Sequence, residues 1–354
     1  MLSACIVVNV VLLKLAVGDS LKTNGVAFAS SQKKFAICML TKDDNHYWPE
    51  FLAYHMTFLP LQRMIVVIDP TSRTSPLPIF DRFAPYINIT VVNDTQLGLH
   101  QMKPVDDIAT HRRRQKYQIE DCTMRLRKEG WQGWVAYIDS DEFIVPNWYA
   151  LRNHSIQKYT PGDTLSDILH NNPHMRRSAP FNNESCISMH RTQVGIQESS
   201  IEKQQKDVPS WLNATNFFTL RYRYPKARYY IPSKSIIDFE VLAHEEIKYE
   251  NCSGPHVPIK RLCSSKKESV WTTQKRHGLM VYHYPGTLES FLYARNDTRR
   301  NEKDYLWNFA QGNPKDYYED DSARFWVKDF VNRFGEHKAK ELLEGAGLVT
   351  LLDQ

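Results

Sequence analysis

Trp134-Val135-Ala136-Tyr137-Ile138-Asp139-Ser140-Asp141-Glu142-Phe143 decides the fold of this chain. Its first five residues, aromatic and β-branched, have the length and character of a buried strand. Asp139 and Asp141 follow at the C-terminal edge of that strand, one residue apart. Open α/β sheets bind ligands in the crevice beyond the carboxyl ends of their strands, which is where this pair falls. Burying unpaired carboxylates there is costly. A divalent cation bridging them to a diphosphate offsets the cost, and hard oxygen donors suit Mg2+ or Mn2+. Asp-X-Asp alone reads as an acidic turn; the strand before it and the rest of the chain favour the metal.

Upstream, Lys34–Leu40 reads as a first strand, followed by a loop rich in N-cap residues, Thr41–Asn45. A helix then carries Trp48, Phe51, Leu52, His55 and Leu59 on one face, with Pro49 tolerated in its first turn. Arg63–Asp69 and Ile87–Val92 are further strands, and His111–Lys128 is a long amphipathic helix feeding the Trp134–Asp139 strand. Strands alternating with helices predict a mostly parallel, Rossmann-like sheet flanked by helices. Beyond Pro146 the pattern loosens. Short strands are expected at Cys186–Val194 and Tyr229–Phe239, and helical segments around Leu288–Phe309, Ser322–Phe334 and Glu336–Gly345. The expected organisation is a segment 1–18, a linker 19–33, a nucleotide-binding half 34–150, and a smaller, irregular half 151–354 that completes the cleft.

The chain has 354 residues, 42% hydrophobic and 24% charged, which excludes wholesale disorder. A net charge of +5 is too modest for a dedicated nucleic-acid binder, so no nucleic-acid partner is expected. Leu2–Val17 is an apolar segment shorter than the roughly 20 residues that span a bilayer. It reads as a signal peptide, with a short type II membrane anchor as the alternative, although a basic start is missing. Seven Asn-X-Ser/Thr acceptors support entry to the secretory pathway: Asn88, Asn93, Asn153, Asn183, Asn213, Asn251 and Asn296. The protein is expected in the Golgi lumen or, after signal cleavage, outside the cell. Cys38 and Cys122 fall on apolar faces and read as buried thiols. Cys252 and Cys263 bracket a polar loop and are the expected disulfide. No Cys/His cluster suggests zinc.

Several segments together resemble glycosyltransferase family 92. The run Ile37–Asp44, then Glu50-Phe51-Leu52-Ala53-Tyr54-His55, is similar to its opening strand and its helix bearing Glu-X-X-X-Tyr-His. Ile68-Asp69 resembles the end of its second strand, with Pro70 where the family has Asn. Gln115–Leu126 is similar to the helix before its metal motif, Trp134–Pro146 to the motif itself, and His283-Tyr284 with Leu288–Phe291 to its C-terminal segment. Related family-2-like enzymes share the Asp-Glu-Phe block. The resemblance implies a GT-A fold, a UDP-sugar donor with galactose as first choice, and inverting transfer to a glycan or glycoprotein acceptor.

In such a reaction charge develops on the leaving diphosphate, and a divalent cation neutralises it. Asp141 is the expected direct metal ligand, and Asp139 a ribose contact or a metal contact through water. His283 is the expected completing ligand, with His244 its rival. Glu142 either supports these ligands from behind or faces solvent. Asp69 is placed for a uracil edge, or else closes a turn. Asp43 and Asp44 are base contacts or helix caps. Arg112-Arg113-Arg114 and Arg295…Arg299-Arg300 line the diphosphate or form solvated faces, the latter being commoner for charge runs. Inversion needs one general base, and Asp238, Glu240, Glu245 and Glu246 are the candidates in the second half. Two other readings stand beside this one: a non-catalytic secreted domain binding glycan or calcium, and a nucleotide-sugar phosphohydrolase.

Overall fold

The computed structural model describes residues 34–92, 108–147, 186–194, 199–225, 231–242, 252–260, 262–263, 279–285 and 319–347. In chain order the elements are β1 (Lys34–Thr41), α1 (Trp48–Phe58), β2 (Leu61–Ile68), α2 (Leu77–Phe83), β3 (Asn88–Val92), α3 (Ile108–Lys128), β4 (Gly133–Tyr137) and β5 (Glu142–Pro146). They continue as β6 (Cys186–Gln193), α4 (Ile201–Gln205), α5 (Phe218–Arg221), β7 (Ile231–Asp238), α6 (Phe239–Leu242), β8 (Cys252–Gly254), β9 (Val257–Ile259), β10 (Leu279–His283), α7 (Trp326–Phe334) and α8 (Glu336–Leu343).

Eight strands form one sheet in the order β3-β2-β1-β4-β7-β6-β10-β5. β3, β2, β1 and β4 are parallel neighbours, the doubly wound half expected from the alternation of strands and helices. β7 joins β4 antiparallel, β6 joins β7 antiparallel, β10 is parallel to β6, and β5 closes the edge antiparallel to β10. The sheet is therefore mixed, and strands from both halves of the chain share it. β5, which begins at Glu142 directly after the Asp-X-Asp pair, was not among the expected strands. The expected helix Leu288–Phe309 lies outside the described residues. No described helix is long and apolar enough to cross a membrane.

Side-chain alternation sorts the strands onto two cores. In β1, Phe35, Ile37 and Met39 pack with Trp48, Phe51 and Leu52 of α1 and with Trp326 and Phe330 of α7. The intervening Ala36, Cys38 and Leu40 pack with Ile119, Cys122 and Leu126 of α3. A strand covered on both faces has no polar side to show, which is why β1 is a continuous apolar run. Gly133 opens β4 at φ +144°, and a Cβ there would collide with the Lys34 carbonyl of β1. Gly133→Ala is expected to cost about 1–3 kcal/mol of stability, measured by urea unfolding.

The cysteine expectations are corrected. Cys38 on β1 is bonded to Cys122 on α3, and Cys186 at the start of β6 is bonded to Cys263. Cys252 is a buried free thiol. It faces the α3-side core from β8, and the β8–β9 pairing sets it opposite Ile259. The turn after β9, where the Cys263 amide donates to the Ile259 carbonyl, delivers Cys263 to Cys186 instead. Each bridge closes a loop of about eighty residues, for which chain-entropy arguments give a stabilisation of about 4.5 kcal/mol.

Candidate functional site

β4 ends at Tyr137, and a tight turn, closed by the Glu142 amide donating to the Asp139 carbonyl at 3.1 Å, reverses the chain into β5. The turn carries Asp139 and Asp141, and Glu142 starts the new strand. β10 lies against β5 with His283 opposite Glu142. Because β6 and β10 run parallel to β4, His283 and Gln193 end at the same edge of the sheet as Asp139. The Tyr284 amide donates to the Asp141 carbonyl at 2.8 Å and locks the two segments together.

The donor atoms of Asp141, Glu142 and His283 lie within 4.8 Å of one another, with His283 Nε2 at 3.3 Å from Asp141 Oδ2. His283 Nδ1 is buried without a hydrogen-bond partner among the described residues. Two carboxylates and an imidazole with an orphaned nitrogen form a mixed O/N donor set that fits Mn2+ better than Ca2+, which takes six to eight oxygens. The expected ligands Asp141 and His283 are thus brought together, and Asp139 sits beside them on a different partner.

That partner is Lys234, in the middle of β7 and wholly buried. Its Nζ lies 2.5 Å from Asp139 Oδ2 and 3.0 Å from Glu142 Oε2. Arg191 of β6 donates to Glu142 Oε1 at 2.7 Å, and the Asp139 amide donates to Glu142 Oε2 at 3.0 Å. Glu142 is therefore not solvent-facing: it is fully buried and supports the turn from behind. Burial raises its pKa, but the Lys234 and Arg191 charges outweigh this and hold it below the usual carboxylate range. Burial likewise disfavours the Lys234 ammonium, and Asp139 and Glu142 overcome it, raising its pKa. Three carboxylates, Asp139, Asp141 and Glu142, against the two cations Lys234 and Arg191 give the group a formal charge of −1. Neither Lys234 nor Arg191 was expected from the sequence. The signal for them is a charged residue inside a strand that is otherwise buried, because such a charge demands a partner.

The Glu50–His55 segment explains how the turn is held. Tyr54 Oη donates to the Ile144 carbonyl at 2.7 Å, and the Ile144 amide donates to His55 Nε2 at 3.3 Å. Both backbone groups of one β5 residue are thus gripped by α1, and the His55 ring stacks on Phe143. His55 Nδ1 donates to the Phe51 carbonyl, which sets the tautomer. Burial lowers the His55 pKa to about 3. Glu50, fully buried, accepts from the Phe218 and Thr219 amides and from Thr219 Oγ1 at 2.6–2.9 Å, anchoring the start of α5. Burial raises its pKa to about 7.

These two groups pull stability in opposite directions. His55 contributes stability that is full above its unfolded pKa near 6.5 and is lost as pH falls toward 3. Glu50 contributes stability that is full below about 4.5 and is lost as pH rises through 7. Between pH 4.5 and 6.5 the two slopes are expected to offset each other. Glu50→Gln should expose the His55 slope, so that the variant's melting temperature falls continuously from pH 6.5 downward. A variant that tracks the wild-type pH profile would refute this assignment.

The remaining expected residues are placed as follows. Asp69 is buried, accepts from the Thr71 amide and hydroxyl, and pairs with buried Arg114 Nη1 at 3.0 and 3.1 Å. Burial pushes its carboxyl up, and the Thr71 hydrogen bonds with the Arg114 and His111 charges more than reverse this, lowering its pKa. It closes a turn, and both its oxygens are engaged. Asp43, at φ +56°, holds the Ser72–Thr74 turn and pairs with Arg73 at 2.9 Å. Asp44 accepts from the Thr41 hydroxyl and Lys42 amide; the α1 N-cap position is Tyr47. Arg112 and Arg113 are exposed, whereas Arg114 is structural.

The expected base candidates Asp238 and Glu240 are not brought to the site. β7 runs antiparallel to β4, so its last residue, Asp238, pairs with Trp134 at the opposite end of β4 from Asp139. Glu240 follows in α6, its amide donating to Asp238 Oδ1 at 3.2 Å. Proximity in sequence hid the reversal of direction. Glu245, Glu246, His244 and Arg295–Arg300 lie outside the described residues.

The profile of glycosyltransferase family 92 matches residues 88–297, more than half of the chain. The chain belongs to glycosyltransferase family 92. The match contains the Asp139–Phe143 turn, Lys234 and His283; the family-92 resemblance of Ile37–His55 lies ahead of it. No curated protein matches the chain significantly. Among solved structures, the chain is similar to S. aureus TarS at 12% identity and a TM-score of 0.24, covering 71% of this chain and 35% of TarS. It is also similar to the galactosyltransferase LgtC in complex with donor and acceptor sugar analogs, at 9% identity and a TM-score of 0.25, covering 89% of this chain and 97% of LgtC. The family-92 chain thus spans about a third of the length of TarS.

Proposed function

We propose that this protein is a metal-dependent inverting glycosyltransferase that moves a hexose, galactose first, from a UDP-sugar to a glycan or glycoprotein acceptor. The observation that carries the reading is the Asp141–Glu142–His283 cluster at the carboxyl edge of the sheet, in a chain of family 92. Asp141 and His283 would hold the cation, with Asp139 beside them. A bound Mn2+ or Mg2+ would supply Lewis-acid neutralisation of the leaving diphosphate. The chain's own residues make that possible. Lys234 and Arg191 cancel two of three carboxylate charges, so a diphosphate–cation pair meets a site of charge −1 rather than −3. His55 and Tyr54 hold β5, and with it the turn, in one position.

Glu245 and Glu246 remain the candidates for the general base. Entry to the secretory pathway is part of the proposal, supported by two disulfides, which persist in oxidising compartments, and by the exposed acceptor residues Asn88 and Asn213. Association with the membrane would come through residues 1–18. The test is a panel of nucleotide sugars offered with Mn2+ to a mixed glycan pool, with the product linkage read by NMR. A β-linked galactoside is expected. An α-linked product would overturn inversion; hydrolysis without transfer would favour the phosphohydrolase; no turnover of any donor would favour a glycan-binding domain.

A further inference from the structure

A cavity of about 880 Å³ lies between the α4 segment, Arg223 and the start of α7. Five cationic side chains line it: Lys203, Lys206, Arg223, Arg324 and Lys328. Only three carboxylates oppose them, Asp207, Glu319 and Asp321, so the lining carries a net charge of +2. The inner part is a built network. Arg223 is buried and pairs with Glu319 at 3.2 Å and with Asp321, while Lys203 pairs with Glu319 at 3.0 Å. Arg324 donates to the Gln204 and Lys206 carbonyls, which ties α7 to the end of α4. The excess charge is outside that network: Lys206 and Lys328 are exposed and have no carboxylate partner among the described residues. Within it, the Nε of buried Arg223 has no hydrogen-bond partner among the described residues.

The cavity also has apolar walls, from Val208, Pro209, Phe325 and Val331. Cationic groups beside apolar and aromatic surface suit a ligand with both a carbon-rich face and an anionic substituent. Its position links it to the site above. Pro225 bridges Val194, whose amide donates to the His283 carbonyl at 2.9 Å, and Arg223 is two residues from Pro225, about 7 Å of extended chain.

We propose that this cavity is an acceptor subsite for an anionic sugar, one bearing a carboxylate or sulfate, with Arg223, Lys206 and Lys328 as its cationic contacts. The proposal rests on the glycosyltransferase reading and names its acceptor class. It is tested by calorimetric titration without nucleotide or metal. The probes are a hexasaccharide of alternating glucuronate and N-acetylglucosamine and, as the neutral control, a hexamer of N-acetylglucosamine. The wild-type protein is expected to bind the uronate oligomer about tenfold more tightly than the neutral one, and less tightly in added salt. Lys206→Glu/Lys328→Glu should lose about tenfold for the uronate oligomer alone, with Lys206→Ala/Lys328→Ala intermediate. Equal affinity for both oligomers, or unchanged binding by the glutamate variant, would overturn the proposal. So would tighter binding of a hexaglutamate peptide, which would make this an acidic-peptide site. Uronate binding that survives when no donor turns over would sink the transferase reading and leave this site standing; turnover with no preference for the uronate acceptor would sink this site alone.

Discussion

Asp141→Asn is expected to weaken Mn2+-dependent UDP binding by about a hundredfold and to lower transfer at least as much. Asparagine keeps the size of the side chain and removes its charge. Loss of one electrostatic contact to developing charge costs about 10²–10³ in rate in preorganised sites. The backbone carbonyl of residue 141 still accepts from Tyr284, so the turn should keep its geometry. Asp238→Asn is the matched control. It alters a carboxylate of the same type, but at the far end of β4, and should leave UDP binding and transfer unchanged. Calorimetric titration of UDP with Mn2+ into both variants is the measurement. Wild-type affinity in Asp141→Asn would remove the metal assignment, and a large loss in Asp238→Asn would show that the effect is not specific to the Asp141 edge.

Lys234→Met should be the most destabilising single substitution in the site. It removes the shared partner of Asp139 and Glu142, and Glu142 has no access to water. Breaking a buried pair from one side typically costs about 3–5 kcal/mol; here Arg191 remains beside Glu142, but Asp139 loses its cation. Adding Glu142→Gln removes one of the two carboxylates that shared Lys234. The double variant is therefore expected to recover much of the loss, a non-additivity of about 1–3 kcal/mol. Urea unfolding of the wild type, both single variants and the double variant completes the cycle. Additive effects, or a Lys234→Met loss below about 1 kcal/mol, would show that the ion pair does not hold the turn.

Some of this was legible in residues alone. The alternation of strands and helices, and the continuous apolar runs of Phe35–Leu40 and Met64–Val67, follow from local periodicity, so the parallel half of the sheet could be read directly. So could the strand-edge position of Asp139 and Asp141 and, through family likeness, the nearness of His283 to Asp141. These are properties of short stretches, or of motifs whose spacing survives in the chain.

Tertiary structure decided the rest, because each missed feature depends on which distant segment arrives beside which. Cys122 reads as a core thiol until α3 is laid on β1 with Cys38 beneath it. Cys252 and Cys263 are near in sequence, yet the β8–β9 pairing and the turn after β9 send only Cys263 to Cys186. Asp238 and Glu240 lie in the expected half of the chain, but β7 runs against β4 and carries them to the wrong edge. The same reversal that removes Asp238 from the site puts Lys234 into it. A buried carboxylate such as Glu142 is tolerable only with cations at hydrogen-bond distance, and those come from residues 49 and 92 positions away, Arg191 and Lys234. Local sequence carries the charge; only the folded sheet supplies its counter-charge.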